Sequence, residues 1–243
     1  MPGLGTLVNV VAILVGGALG LLLKKALSER LTETVMQGLG LAVLVVGFSG
    51  VFTSSISISG SGITFENTLL MILSLALGAL IGAILNIEER LESVSRKLSS
   101  VFRLRDSADF SEGFVATTLL FTVGSMAILG SLEDGINLNP DILLVKSALD
   151  LVSAMVFAGT FGAGVLLSAV SVGVYQGLIT ALALFLSGFL TDAVISQMTL
   201  IGSVLIVGLS FNILKLAKIK VSNLLPAIFI PLLYYAFRVV TGL

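Results

Sequence analysis

The chain has 243 residues, 56% of them hydrophobic and 11% charged, with a formal net charge of −1 and a mean hydropathy of +1.14. A soluble domain carries about 25% charged residues, so most of this exterior must face lipid. There is no Cys and no His. That excludes disulfides, thiol chemistry, most transition-metal sites and the usual proton shuttle near neutral pH, and the charge balance argues against a nucleic-acid partner.

Long apolar runs predict an all-α polytopic bundle of about eight membrane-spanning helices, forming one integral membrane domain over 1–243. In chain order the runs are Leu4–Leu23, Met36–Phe52, Asn67–Asn86, Phe114–Leu129, Ile142–Phe157, Gly164–Leu190, Ala193–Leu214 and Leu224–Val240. The first opens "MPGLGTLVNV", without the positive charge a secretory signal wants, and lysines follow it. It reads as a retained helix with its N-terminus outside. Its stretch "GGALGLLLKKALSERL" resembles "LGALIGAILNIEERL" in the third run. Each sets two glycines four apart, Gly16 with Gly20 and Gly78 with Gly82, a spacing that lets helices approach closely in lipid. "LAVLVVGFS" in the second run resembles "GSVLIVGLS" in the seventh. The predicted topology runs these two in opposite directions, as an inverted repeat requires. The sixth run is too long for one straight crossing and contains Gly173 and Gly177, which predicts a tilt, a kink or an interruption.

Basic residues orient the bundle. Lys24, Lys25 and Arg30 follow the first run, Arg90, Arg96, Lys97, Arg103 and Arg105 the third, and Lys215, Lys218 and Lys220 the seventh, together 11 of the 13 Lys and Arg. The alternate connections hold Glu66, then Glu133, Asp134 and Asp141, then Asp192, and no basic residue. The positive-inside rule makes the basic connections cytoplasmic and puts both termini outside. Two basic segments, "KKALSERLTETV" and "EERLESVSRKLSSVF", place apolar residues at helical spacing, so they lie along the membrane surface or extend the preceding helix. A cytoplasmic amphipathic linker is expected at about 87–113. The acidic outer segment "SLEDGINLNPD" lacks the ligand spacing of an EF-hand loop and reads as a solvated turn.

The fifth run carries the most chemistry. Lys146 and Asp150 stand four residues apart, on one helix face, where they can pair. A charge at the bilayer centre costs roughly 2.5–3.5 kcal/mol on insertion scales. Lys146 can snorkel toward the outer surface; Asp150 is too short and too deep to do so. The same face continues through Ser153, Phe157 and Thr160. Two uses stay open for the pair, a fixed packing contact or a functional site, and an intramembrane carboxylate favours the second. "FAGTFGAGV" then sets Gly159, Gly162 and Gly164 between runs five and six, either as an interrupted, ion-coordinating segment or as a short tight turn. Gln176 and Asn212 are carboxamides that want partners in lipid, and with Ser125 and Ser153 they complete the expected solute- or ion-binding set around Asp150. Ser168, Ser171, Tyr175, Thr118, Thr122 and Asn9 are further intramembrane polar groups, of which the hydroxyls commonly bond their own helix backbone. No catalytic, metal or cofactor set is expected.

"GTLVNVVAILVGGALG", "GSMAILGSLEDG", "KSALDLVSAMVFAGTFGAGVLLSAVSVGVYQG" and "NLLPAI" together resemble the YdfK/YqgA-like bacterial inner-membrane proteins, domain-of-unknown-function family 554, over nearly the whole chain. The resemblance implies a multi-pass protein of the bacterial inner membrane, with transport suggested at most. It places Glu133, Asp134, Lys146, Asp150 and Gln176 in signature segments. In relatives the residue after the matching Asp is often Gly, where this chain has Leu151.

The leading expectation is a transporter, an ion-coupled carrier of a small solute or ion, with the lipid bilayer and that solute or cation as partners. An ion channel, formed as a homo-oligomer, and a non-transporting scaffold protein are the other readings. An enzyme is the least expected class: no Walker motif and no intramembrane carboxylate cluster is present.

Overall fold

The computed structural model describes residues 1–24, 29–59, 62–91, 93 and 107–241. Helices dominate, as the apolar runs predict: α1 (Leu4–Lys24), α2 (Glu29–Ser55), α3 (Thr68–Ile84), α4 (Ser107–Thr122), α5 (Ser125–Ile136), α6 (Asp141–Phe161), α7 (Gly164–Ala181), the short α8 (Ala183–Leu186), α9 (Asp192–Ile213), α10 (Val221–Leu224) and α11 (Ile230–Thr241), the last two joined by a 3-10 turn, Leu225–Phe229. Between α2 and α3 the chain forms an antiparallel hairpin of β1 (Ile56–Ser59) and β2 (Gly62–Phe65), with Ile56 opposite Phe65 and Ser59 opposite Gly62.

Among the described residues six helical stretches are long and apolar enough to cross a membrane, namely α1, α2, α6, α7, α9 and the run Val221–Thr241 from α10 through α11, or seven if α4 and α5 count as one bent span. The polytopic helical bundle is as expected, with six to seven such spans where about eight were expected. The fourth predicted run, Phe114–Leu129, contains a break: α4 and α5 meet at 61°, where Gly124 takes φ +124°, a conformation open to glycine and not to a helix. The third run supplies α3, a shorter apolar helix of 17 residues. The sixth is interrupted at Leu182, between α7 and α8. The amphipathic segment before the second run continues α2 from Glu29 onward. Most of the linker expected at 87–113 lies outside the described residues, and from Ser107 it is already α4.

Chain contacts divide the protein into two compact units, each built from two separate stretches: 1–39 with 89–186, and 40–88 with 187–243. The division falls inside α2.

In the first unit α1 packs against α6 and α7. A Cβ on Gly16 would overlap the Leu151 carbonyl, and one on Gly20 would overlap that of Met155. Numbers rise together on both helices, so α1 and α6 run parallel. Their backbones meet because glycine leaves nothing between them. The α6–α7 connection is a tight turn of two residues, Gly162 with φ +83° and Ala163. It is sealed by Gly164, where a Cβ would strike the Phe110 carbonyl oxygen.

In the second unit the glycine pair of α3 repeats the device. Gly78 lies against the Ala227 backbone and Gly82 against the Asn223 carbonyl, now antiparallel. Helices α2 and α9 are antiparallel too: Gly40 meets Leu214 and Gly47 meets Val207. The two similar segments thus touch each other, but not equivalently. Gly208 turns instead toward Ile219 and Val221. Thr191 caps α9 by accepting the Val194 N–H at 3.4 Å, and Asp192 sits in the first turn, where a carboxylate suits the positive end of the helix dipole.

Candidate functional site

The local sequence places α6 with some care. Asn139 Oδ1 accepts the Asp141 N–H at 3.1 Å, Pro140 precedes the helix, and Asp141 supplies the first-turn carboxylate. From that start, the buried face carries Leu143, Lys146, Ser147, Asp150, Ala154 and Phe157. Lys146 donates directly to Asp150 Oδ2, and each side chain is 8% exposed. The Lys146 ammonium also stands 5.7 Å from the centre of the Phe121 ring, a cation–π distance. Phe121 is the penultimate residue of α4, just before the break.

Two carboxamides join this pair. Asn9 on α1 and Gln176 on α7 are both fully buried. Asn9 Nδ2 donates to Gln176 Oε1 across a long 3.4 Å, and Asn9 lies beside the Asp150 carboxylate. Asn9 Oδ1 and Gln176 Nε2 then have no partner. An orphaned buried donor or acceptor costs about 1–3 kcal/mol, so this cluster is polar beyond what packing alone requires.

Asp134 corrects the expectation of a solvated turn. It lies on α5, is fully buried, and its Oδ2 accepts the Gly5 N–H at 3.0 Å. That bond satisfies an otherwise free donor at the start of α1 and fixes the first turn of the helix that carries Asn9. The other carboxylate oxygen has no partner. Asp134 was legible as a family-signature residue but not as a buried one; Asn9 was visible as a polar residue in a greasy helix, and nothing local linked it to Asp150.

Of the residues expected around Asp150, the structure brings together Lys146 and Gln176. Ser153 is half-buried on α6, and Ser125 is exposed at the start of α5. Asn212 belongs to the second unit. Its carboxamide is spent on one peptide: Nδ2 donates to the Ile219 carbonyl at 2.8 Å, and Oδ1 accepts the Ile219 N–H at 2.8 Å. It clamps the loop after α9. Ser147, Ser168, Thr117 and Ser131 each bond a carbonyl of their own helix, the common fate of a hydroxyl in an apolar helix.

A family model described as "Protein of unknown function (DUF554)" matches residues 4–236. The chain belongs to the DUF554 family. It is 31% identical over 227 residues to "Uncharacterized membrane protein YdfK" of Bacillus subtilis (strain 168), covering 93% of each chain. It is 28% identical over 229 residues to "Uncharacterized protein YqgA" of Escherichia coli (strain K12), again covering 93% of each. No solved structure matches. After Asp150 this chain has Leu151, and the close helix approach there comes from Gly16 on the facing helix.

Proposed function

We propose that this DUF554 protein is an ion-coupled carrier of a small solute, working in the bacterial inner membrane, and that it is not an enzyme. The observation that carries the reading is the buried Lys146–Asp150 pair with unpartnered carboxamide atoms beside it. Asp150 is halfway along a 21-residue helix. At about 1.5 Å per residue that is near the middle of a hydrocarbon core about 30 Å thick. Ionisable groups at such depth mark solute and proton paths in many membrane proteins, and the break between α4 and α5 beside Phe121 is the kind of discontinuity carriers use.

Both termini outside remains the orientation we propose. It follows from the basic connections and asks α3 to cross as a short span. The parallel α1–α6 and antiparallel α2–α9 pairs agree with it. The chain has no native Cys, so single cysteines test this cleanly. A membrane-impermeant thiol reagent should label Asp192→Cys in intact cells and Lys218→Cys only after permeabilisation.

Asp150→Asn in proteoliposomes should abolish gradient-driven uptake across a panel of small solutes while the protein stays folded in detergent. Unchanged uptake would remove Asp150 from the mechanism. The direct Lys146–Asp150 contact also suits a scaffold, in which the pair is inert packing. A Lys146→Met/Asp150→Leu double variant separates the two: a scaffold keeps its fold and its cellular role, a carrier keeps only its fold. Resolvable single-channel currents would favour the channel reading instead.

A further inference from the structure

The α1–α6–α7 cluster offers its hydrogen bonds in a balanced set. Two groups donate, Lys146 Nζ and Gln176 Nε2. Two accept, the Asp150 carboxylate and Asn9 Oδ1. The carboxamide atoms are the ones left without partners on fully buried side chains, and the charged atoms are spent on each other. The charges sum to zero. In a low-dielectric interior, a lone metal cation or anion would bring an uncompensated charge beside a group of its own sign, at a cost of several kcal/mol.

A molecule carrying both signs avoids that cost. Its ammonium can take Asp150 and its carboxylate can take Lys146, so one ion pair becomes two and no net charge enters. Asn9 Oδ1 and Gln176 Nε2 then gain the acceptor and donor contacts they lack. Ile13, Leu143 and Val172 stand one turn from Asn9, Lys146 and Gln176, and all three are fully buried, so the polar cluster is set among apolar side chains.

We propose that the solute taken between α1, α6 and α7 is a small zwitterion, its ammonium held by Asp150 and Asn9 and its carboxylate by Lys146 and Gln176. This deepens the carrier reading and rests on it for transport, though binding can be measured without transport.

The test uses the full chain in nanodiscs and follows the thermal unfolding midpoint, which rises with any ligand that binds only the folded state. The probes are glycine and L-serine, the separate halves acetate and methylammonium, sodium chloride, and urea. Glycine or L-serine should raise the midpoint in a saturable way, with the halves, salt and urea giving little or nothing. Gln176→Met should lose most of that shift measured from its own ligand-free midpoint, which itself falls because Asn9 Nδ2 loses its acceptor. Asp150→Asn leaves Lys146 unpaired, and this variant should lose the glycine response and gain one to acetate, a switch that a misfolded protein cannot produce. Stabilisation by sodium or methylammonium equal to that by glycine would overturn the proposal in favour of a cation site, and no shift with either zwitterion would overturn it outright. If Asp150-dependent uptake is found without any glycine effect, the carrier reading stands and the zwitterion falls. If glycine binds but no solute is moved, the reverse holds.

Discussion

The two units use the same packing device and bury their polar groups to different ends. In each, a glycine pair four residues apart lets two backbones touch, Gly16 and Gly20 in the first and Gly78 and Gly82 in the second. In the second unit two half-buried carboxamides hold backbone: Asn212 clamps Ile219, and Asn223 Oδ1 accepts the Glu88 N–H at 2.9 Å, while Gln197 Nε2 donates to Asn67 Oδ1 at 3.1 Å. In the first unit the carboxamides face a charged pair, and Asn9, Gln176, Asp134, Thr6 and Thr118 each keep an atom without a partner, against Ser74 and Glu88 in the second. Under the proposed carrier reading, the first arrangement is the one that would meet a solute.

Several variants would break or sharpen that contrast. The largest effect is expected from splitting the pair: Lys146→Met or Asp150→Leu alone should cost about 3–5 kcal/mol of stability, because each strands a buried charge, whereas the double variant should come close to the parent. Equilibrium unfolding in mixed micelles measures all three. Next come the glycines. Gly16→Val and Gly82→Val both drive a side chain into a backbone carbonyl, so each should cost roughly 3 kcal/mol, and similar losses in the two would confirm that the device is shared. Asn212→Ala should cost about 1–2 kcal/mol for its two partly buried bonds and leave Asp150-dependent uptake intact. Loss of uptake there would undo the division of labour between the units. Ser125→Ala, at an exposed position, should change stability by no more than about 0.5 kcal/mol.

The architecture was legible because lipid imposes it. Runs of twenty apolar residues have few other uses. What escaped notice were local reversals inside apolar sequence. Gly124 ends a helix through its φ alone, and nothing in "FTVGSM" announces that. The hairpin was not expected, although "SISISGSGITF" carries a local signal for it, a period of two bounded by Gly and Ser, outside any apolar run. The candidate site was half legible. Lys146 and Asp150 declare themselves by charge and spacing, and Gln176 by polarity. Asn9 and Asp134 act through partners 167 and 129 residues away in the chain, and no local pattern encodes such a pairing. Asn212 shows the converse. A carboxamide in lipid must find partners, and this one found them seven residues along its own chain.

The interleaving of the chain has a consequence for how the protein is made. Helix α3 and most of α2 are synthesised before residues 89–186, yet the surfaces that cover Gly47, Gly78 and Gly82 lie beyond that stretch, in 187–243. At about 5–20 residues per second, a nascent molecule must hold those bare helical grooves in the bilayer for on the order of 5–20 s before their mates emerge from the ribosome. Whatever shields them during that wait, lipid tails or an insertase, handles an assembly that cannot be finished from front to back.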